Sequence, residues 1–575
     1  MATSSGISGI DTTYQPSITF SGLGSSVDFQ SIIDKLVSVE SATITRYDSW
    51  KSEWNDKITA LQTLNSKLTD FNTTAAAMDT LAQFQGKTAA SSNTTVLTAS
   101  ASTTATSGTH QVLVNQMAQS EVEAHQGLSA TTTVVNSSGS AKVFAFSYAG
   151  GTSVSISVAD GATLSDLAAA INSSGANPGV TATVLDMGST YTTDRYRLLL
   201  QGNDSGATNS IAIDDGLTTL DGTGSTENFT SATFTQTQAA QNAQIRVDGY
   251  PPGTWIERSS NAISDVIPGV TLSLLSTSAS PVQVTVNDDT GAMQDKIESL
   301  VDNYNAVVAY IKDQTNYDTS TGTAGVLLGN YAVEIVKSGL NAIGTGNAPG
   351  FQDPNDPYLN LSMIGVTTDS SETSPTFGQL VIDSSALSQA ISNNPQGVAN
   401  LMAAYFHGIS DDTSGNITYY SAIPGITQAG IYQISASVSG GVLTGTINGH
   451  PATVSGDTLN GQSGYPEYGL AVKVNLVDGT YNGTVRLQMG KNGQFSQKLD
   501  DLLNVTSGPI NILINNYNDI ISGIDSKIES EQRRVDGIRT RLTNQFAKVD
   551  AILSTLNQQS EYLTTQLANL SSSSG

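Results

Sequence analysis

The sequence predicts an α+β multidomain protein in which antiparallel terminal helices form a coiled-coil stem and a helical body, with β-rich outer domains between them. Three observations predict this class. Apolar residues recur every seven positions near both ends of the chain, the long middle lacks that period, and Val, Ile and Thr alternate there with polar residues. The two ends are therefore expected to pair with each other, and the residues between them are expected to form the outer domains.

The C-terminal heptads are the stronger of the two patterns. Seven apolar residues at steps of seven form one stripe of a helix: Ile528, Val535, Leu542, Val549, Leu556, Leu563 and Leu570. Burying all seven would contribute roughly 10 to 20 kcal/mol, whereas a solitary helix would leave them in water. The flank is mixed, because Phe546 and Ile552 are apolar while Gln545 and Gln559 are polar. This helix is therefore predicted to have a partner.

The heptads that begin at Tyr47 are the predicted partner. Apolar residues at both ends make up the predicted stem interface: Tyr47, Trp54, Leu61, Leu64, Leu68, Phe71, Ile528, Val535, Leu542, Val549, Leu556, Leu563 and Leu570. The alternative is two ordinary helices in separate domains. A shorter helix from Asp28 to Val39 precedes them, capped by Ser26 or Asp28, with Ile33 and Val37 on its apolar face.

Composition narrows the class of function. The net charge of −26 disfavours nucleic acid and anionic membranes as partners, because phosphate binding needs clustered Lys and Arg. The chain has no cysteine, which excludes disulfides, thiolate metal sites and a cysteine nucleophile. The N-terminus lacks the basic and apolar regions of a signal peptide, and no apolar run is long enough for membrane insertion.

Catalytic chemistry is not expected. The four histidines, His110, His125, His407 and His450, are far apart and lack metal-ligand spacing. Neighbouring carboxylates such as Asp288 and Asp289 are typical of solvated turns. We therefore predict that the chain is not an enzyme and has no catalytic residue, cofactor or metal.

Several stretches resemble the flagellar filament-capping protein, or hook-associated protein 2, family. They are Ser21–Ser25 with Ile32-Ile33-x-x-Leu36-Val37, Gly108–Gln119, Ser260–Ser276, Val301-x-x-Tyr304-Asn305-x-Val307-Val308, and Gly378-Gln379-Leu380. The region around residues 127–235 is also similar to insertion modules of flagellins and hook-associated proteins. Residues 411–490 depart from a minimal cap protein and are read as a separable insertion.

The expected organisation follows from these patterns. Residues 1–42 and 548–575 form the terminal, flexible or helical stem region, and residues 43–83, 291–410 and 491–547 form the helical body. Residues 84–126 and 236–290 form a β-rich middle domain, residues 127–235 an α+β insertion module, and residues 411–490 an inserted all-β domain. Within the last, the alternating runs on either side of Asp478-Gly479 predict a hairpin.

The resemblance implies a function. Members of the family cap the distal tip of the bacterial flagellar filament outside the cell, as a ring homo-oligomer that promotes flagellin insertion and filament elongation. The implied partners are other copies of the chain, flagellin, a flagellar export chaperone and the type III export apparatus, and some members also adhere to host surfaces. The alternatives are a hook-filament junction protein and a surface adhesin.

Overall fold

The computed structural model describes residues 28–572, and within them the chain forms ten α-helices and 28 β-strands. Ser26 and the N-terminal segment expected to be flexible lie outside the described residues. Helices occupy the two ends and the centre of the described residues, and antiparallel sheets fill the stretches between them. The predicted α+β multidomain class is confirmed.

Several helices begin at polar side-chain caps. Asp28 accepts a hydrogen bond from the Ser31 amide at 3.0 Å, and Asp289 accepts one from the Ala292 amide at the same distance. Asp289 is thus a helix cap. The helices are Phe29–Glu40 (α1), Ala42–Ala76 (α2), Leu81–Phe84 (α3), Leu164–Ser173 (α4), Thr290–Thr315 (α5), Tyr331–Thr345 (α6), Ser384–Asn393 (α7), Pro395–Ala403 (α8), Lys491–Leu503 (α9) and Pro509–Ser572 (α10).

The strands are short and fall into three groups along the chain. The first group contains Lys87–Ser91 (β1), Leu97–Ala101 (β2), Gly108–Gln116 (β3), Val122–His125 (β4), Lys142–Tyr148 (β5), Val154–Val158 (β6), Val180–Asp186 (β7), Tyr196–Gly202 (β8), Ile211–Ile213 (β9), Phe234–Gln238 (β10), Ala243–Val247 (β11), Ile256–Arg258 (β12), Ala262–Ile267 (β13), Val270–Leu274 (β14) and Val282–Asp288 (β15). Two small hairpins follow: Tyr317–Asp318 (β16), Thr323–Ala324 (β17), Val366–Thr368 (β18) and Leu380–Ile382 (β19). The last group is His407–Ser410 (β20), Ile417–Ser421 (β21), Gly430–Ser439 (β22), Val442–Ile447 (β23), His450–Pro451 (β24), Thr453–Ser455 (β25), Thr458–Asn460 (β26), Ala471–Val474 (β27) and Gly479–Gln488 (β28).

The helical body is built around the C-terminal half of α2, which packs against α5 and α9. Phe71 lies at its centre, with its ring centroid 6.1 Å from that of Tyr304 and 5.1 Å from that of Phe495. Helices α6, α7, α8 and the start of α10 complete one apolar core. Helices from distant parts of the chain therefore share a single core.

Lys491 is fully buried in this body. Its ammonium donates hydrogen bonds to the carbonyls of Ile343 at 2.7 Å and Gly346 at 2.6 Å, at the end of α6. Burial lowers the pKa of Lys491 to about 8. Because the unfolded chain keeps this proton up to a higher pH, the unfolded state binds more protons between about pH 8 and 10, and stability rises with pH there.

We expect the lowered pKa of Lys491 to be visible as a difference in the pH dependence of stability between the wild type and Lys491→Met. The free energy of unfolding of the wild type should rise relative to that of Lys491→Met by about 1 to 3 kcal/mol between pH 8 and pH 10. Urea unfolding followed by helical circular dichroism at pH 7, 8, 9 and 10 measures it. Identical pH dependence in both proteins would show that Lys491 titrates as an ordinary lysine.

Two sheets enclose the core of the middle domain. A five-stranded sheet of order β1-β15-β3-β11-β12 faces a three-stranded sheet of order β13-β14-β2, and Val112, Val284 and Leu272 lie in the core between them. The turn between β13 and β14 requires Gly269, whose φ is +76°. A Cβ there would lie 2.8 Å from the main chain of Ala105, so no other residue fits.

The insertion module combines one helix with two sheets. Sheets of order β10-β4-β8-β7 and β6-β5-β9 enclose an apolar core with α4, which packs on β6 and β7. Thr163 and Asp166 form the predicted capping box at the start of α4. Phe144, Phe229 and the stacked ring of His125 lie in the core.

The inserted domain is a two-sheet sandwich. One sheet has the order β20-β28-β22-β23-β24 and the other β21-β27-β26-β25. The predicted hairpin around Asp478-Gly479 is wrong, because β27 and β28 lie in different sheets. Strand β28 instead pairs along nearly its full length with β22, and a longer ladder satisfies more backbone groups than a short hairpin would.

A buried ion-pair cluster joins the inserted domain to the helical body. Arg486 on β28 donates through Nη1 to Asp356 and through Nε to both carboxylate oxygens of Asp411, at 2.9 and 3.0 Å. Gln488 donates to the other oxygen of Asp356 at 2.8 Å. Arg486 is only 4% exposed, so the cluster fixes the base of β28 on the loop that carries Asp356.

Candidate functional site

The stem consists of α1, the N-terminal half of α2, and α10. Helix α10 runs antiparallel to both partners in turn. From the body outwards, the side-chain contacts are Asn65 with Asn511 at 2.8 Å, Trp54 with Tyr517 at 4.8 Å between rings, Lys51 with Asp525 at 2.6 Å, Glu40 with Arg534 at 2.7 Å, Asp34 with Arg539 at 2.7 Å, and Phe29 with Phe546 at 5.2 Å between rings. Helices α1 and α10, from opposite ends of the described chain, therefore lie together.

Apolar contacts hold the outer half of this pairing. Ile33 and Val37 of α1 are buried with Val535 of α10, and Leu542 and Phe546 pack at the edge of the same cluster. Ile33 and Val37 are one helical turn apart, which places both on the face of α1 that meets α10. This small cluster is separate from the core of the helical body.

Ion pairs follow the flank of the stem. Arg534 contacts Glu40 and Glu531, each at 2.7 Å, and hydrogen bonding to these two carboxylates raises the pKa of Arg534. Asp34 pairs with Arg539 at a similarly exposed position. Exposed pairs of this kind contribute little stability, so their main effect is to set the register of α1 on α10.

The predicted interface residues separate into three groups. Tyr47 and Trp54 are half-buried in the inner stem, Ile528 and Val535 are buried, and Leu542 is half-buried. The second group does not lie in the stem: Leu61, Leu64, Leu68 and Phe71 are fully buried in the helical body. The structure thus does not pair residues 61–71 with residues 528–570. The outer partner of α10 is α1.

The third group is exposed. Val549, Leu556 and Leu563 are 42%, 53% and 60% exposed. Ile552 and Leu567 are exposed beside them, and we call these five residues the distal stripe. No described residue covers the distal stripe, which begins just beyond the Phe29 contact. The side chain of Leu570 lies outside the described residues.

The partnership of α1 with α10 was missed in the sequence. The signal was present, because Ile33 and Val37 form an apolar face on a short helix that also needs a partner. Its 12 residues are too few for a heptad repeat to be recognised, and the longer pattern after Tyr47 supplied an alternative.

The titratable groups of the described residues form no metal site, and none of their helices is long and apolar enough to cross a membrane. The histidines occupy separate places. His125 is buried with Nε2 2.8 Å from the Asn228 carbonyl, and burial lowers its pKa. His110 contacts Asp248 at 2.9 Å, and His450 contacts Glu467 at 2.6 Å. His407 is exposed at the start of β20, and desolvation of its ring, followed by the charge of Arg486, lowers its pKa.

Comparison with known proteins identifies the family. The model for the flagellar hook-associated protein 2 C-terminus matches residues 240–558, and the model for its N-terminus matches residues 25–121. A third model, the flagellin hook IN motif, matches residues 143–204, inside the insertion module.

Curated and solved proteins similar to this chain are known. Flagellar hook-associated protein 2 of Escherichia coli K12 is 27% identical over 437 residues, which cover 74% of this chain and 88% of that protein. The B-type protein of Pseudomonas aeruginosa PAO1 is 28% identical over 412 residues, covering 67% and 80%. The crystal structure of the flagellar cap protein FliD D1-D2-D3 domains from Escherichia coli is 26% identical, covers 60% of this chain and 89% of that one, and superposes with a TM-score of 0.45.

The C-terminal family model alone spans more than half of the 575 residues, and the N-terminal model adds the region that begins beside α1. The resemblance found in the sequence is thereby confirmed. The chain belongs to the flagellar hook-associated protein 2 family, whose members form the cap at the distal tip of the bacterial flagellar filament.

Proposed function

We propose that this chain caps the flagellar filament through the stem, with the distal stripe as the surface that docks on neighbouring subunits and on the filament end. The proposal depends on the five large apolar side chains on one face of α10 that are exposed beyond the last contact with α1. Such a stripe is typical of one face of a helix–helix interface whose partner helix belongs to another molecule.

The polar flank of the stripe suits a cap that must move. Gln545, Gln559 and Gln566 lie beside the apolar positions and are exposed. A wholly apolar flank would favour one packing strongly, whereas amide side chains can exchange hydrogen bonds between partners and water. Each arriving flagellin subunit requires the cap to step forward, so weak and exchangeable contacts are an advantage.

The remaining parts of the proposal follow from family membership. The protein is a structural component, and we propose that it has no catalytic activity of its own. It assembles with its own copies, promotes flagellin insertion, and reaches the tip through the type III export apparatus with the help of an export chaperone. The absence of cysteine is compatible with that route, because no disulfide hinders an unfolded chain.

The distal stripe is tested by adding charge to it. Leu556→Glu combined with Leu563→Glu should abolish capping while leaving the fold intact, because both side chains are already exposed and lose no buried contact. The double variant is expressed in a strain that lacks its own cap protein. Swimming motility and release of monomeric flagellin into the medium are then measured.

The matched control is Gln558→Glu, which adds charge on the opposite side of the same helix. It should retain motility. Normal capping by the Leu556 and Leu563 double variant would refute the docking role of the stripe. A hook-filament junction protein would instead fail to restore filament growth even as the wild-type chain.

Adhesion is a second candidate function, carried by the inserted domain. Tyr465 is exposed and stacks on His450 with 3.8 Å between ring centroids, and His450 is held by the buried carboxylate of Glu467. A ring fixed in this way offers its other face to a ligand. Glycan-array binding that is lost in Tyr465→Ala, with motility unchanged, would support adhesion; binding that survives would exclude this site.

A further inference from the structure

A buried carboxyl group lies where the insertion module joins the middle domain. The chain enters the module after Gln119 and leaves it at Gln241, and the main-chain groups of these two residues bond to each other at 3.0 and 3.1 Å. Glu121 lies two residues beyond this bridge and is only 2% exposed. No lysine, arginine or histidine among the described residues forms an ion pair with it. A buried charge without a cation is costly, so other groups must stabilise it.

Hydrogen bonds occupy both oxygens of Glu121. Its Oε2 accepts from the Ile211 amide at 2.5 Å, and its Oε1 accepts from the side-chain amide of Gln236. Ile211 begins β9 and Gln236 lies in β10, so this one carboxylate connects the two sheets of the module. Ionised carboxylates accept such bonds most strongly, and the arrangement therefore favours a charged Glu121.

Glu123 is a second acid beside this carboxylate. It lies two residues further along the extended chain, on the same side, and opposite Gln236 of β10. Glu123 is half-buried. Burial, followed by the charge of Glu121 and a hydrogen bond to it, raises the pKa of Glu123 to about 7. Two carboxyl groups in this arrangement share one proton, because ionisation of both would place two negative charges side by side.

The other titratable groups near the pair do not supply a positive charge. The hydroxyl of Tyr148 on β5 bonds to the main chain of Asp204 at 3.0 and 3.1 Å, and burial raises the pKa of Tyr148, so it stays neutral. His125, further along β4, is also neutral, because burial lowers its pKa. Strands β9 and β10 contain no titratable side chain.

Strand β8, which pairs with β4, does not neutralise the acids either. Glu123 lies opposite Leu200 of β8. The titratable residues of β8, Tyr196 and Arg197, are at the other end of the strand, and Arg197 forms its ion pair with Asp194 at 3.0 Å. The proton shared by the two acids is therefore what limits the charge at this place.

The loop between β8 and β9 attaches the module to the middle domain, and we call residues 203–210 the attachment loop. Ser205 Oγ donates to the Ser259 carbonyl at 2.6 Å, and the Ala207 amide donates to Asn242 Oδ1 at 2.9 Å. Ser259 and Asn242 both belong to the middle domain. The attachment loop leads directly into β9, whose first amide is held by the buried carboxylate.

We propose that Glu121 and Glu123 hold one proton between them, and that its release to water at higher pH loosens the attachment of the insertion module to the middle domain. With the proton present, Glu123 donates to Glu121, and Glu121 keeps its bond to the Ile211 amide. Without it, the two carboxylates repel each other, and the less buried Glu123 moves towards water. The attachment loop is then held less firmly at its end.

The direction of the pH effect follows from linkage. The attached form keeps the proton to a higher pH than a free glutamate does, so the attached form is most stable at low pH. Its stability falls as the pH rises from about 4.5, the ordinary value for glutamate, to about 7, where the pair loses its proton. The module therefore responds to the pH of the medium around the protein.

Hydrogen exchange of the full-length protein, measured by mass spectrometry and corrected for the pH dependence of the exchange chemistry, tests the proposal. Protection of the amides of residues 203–211 should fall about tenfold between pH 5.5 and pH 7.5. Glu123→Gln retains a donor for Glu121 but cannot ionise, so its protection should stay high at both pH values. Glu227→Gln removes a carboxyl group elsewhere in the module and should behave like the wild type.

A further variant separates the shared proton from the effect of burial alone. In Glu121→Gln the charge that opposes ionisation of Glu123 is gone, so the midpoint of the loss of protection should move to lower pH. An unchanged midpoint would overturn the shared proton, and so would a wild type without pH dependence or a Glu123→Gln variant that keeps it. Circular dichroism checks folding, and the midpoint in Glu121→Gln decides the question if Glu123→Gln does not fold.

Discussion

Replacing Phe71 by alanine is expected to lower the free energy of unfolding of the helical body by about 3 to 5 kcal/mol. The ring is fully buried and packs between Tyr304 and Phe495, so its removal leaves a cavity that three rigid helices cannot close. Urea unfolding followed by helical circular dichroism measures the change. Capping should fail only to the extent that the protein unfolds.

The informative control is Leu556→Ala. Leu556 and Phe71 both occupy apolar positions of heptad patterns, and both were predicted to belong to the stem interface. Leu556 is exposed, so its truncation should change the free energy of unfolding by less than about 0.5 kcal/mol. Equal effects at the two positions would mean that Phe71 is not a core residue or that the distal stripe is covered within the monomer.

The second large effect is expected at the joint of the inserted domain. Arg486→Ala should destabilise the base of β28 by about 3 to 5 kcal/mol, because it leaves the carboxylate of Asp356 buried without its charged partner. Hydrogen exchange of the amides in β20 and β28 reports this joint more directly than global unfolding. Exchange there should accelerate, while the middle domain stays unchanged.

Arg258→Ala is the matched variant for this test. Arg258 also pairs with a carboxylate, Asp265, at 2.8 Å, but the two side chains are 37% and 59% exposed. Its loss should cost no more than about 1 kcal/mol. If Arg486→Ala were equally mild, water would have to reach Asp356, and the joint would be looser than the contacts imply.

The sequence predicted the elements better than it predicted their partners. Heptads correctly indicated that residues 47–76 and 528–570 are helical, because a period depends only on which face is apolar. The partner of each face depends on the whole fold. Leu61 and Leu68 carry the same pattern as Val535 and contact different helices. No local property distinguishes these two environments.

The strands of the inserted domain show the same limit. Alternation correctly indicated strands around residues 471–474 and 479–488, and the turn residues between them favoured a hairpin. In the structure the connection instead carries the chain from one sheet to the other. The longer pairing of β28 with β22 outweighed the local turn, and strands that are distant in sequence cannot be matched by pattern alone.

The candidate site was predicted as a continuous buried seam, and its outer part is exposed. The reason is length, because α10 has 64 residues and extends past the start of α1. The domain boundaries remain predictions, although separate apolar clusters lie in the middle domain, the insertion module and the inserted domain.

The interruption at Ser41 gives the stem two unequal cooperative units. Helix α1 has only 12 residues, too few to remain helical once detached, and it is held to α10 by one small apolar cluster and exposed ion pairs. Unfolding of α1 would expose Val535 and Leu542 together and would extend the distal stripe towards the helical body. Local unfolding of α1 would therefore expose additional apolar surface on α10 for docking. This transition requires much less free energy than global unfolding of the protein.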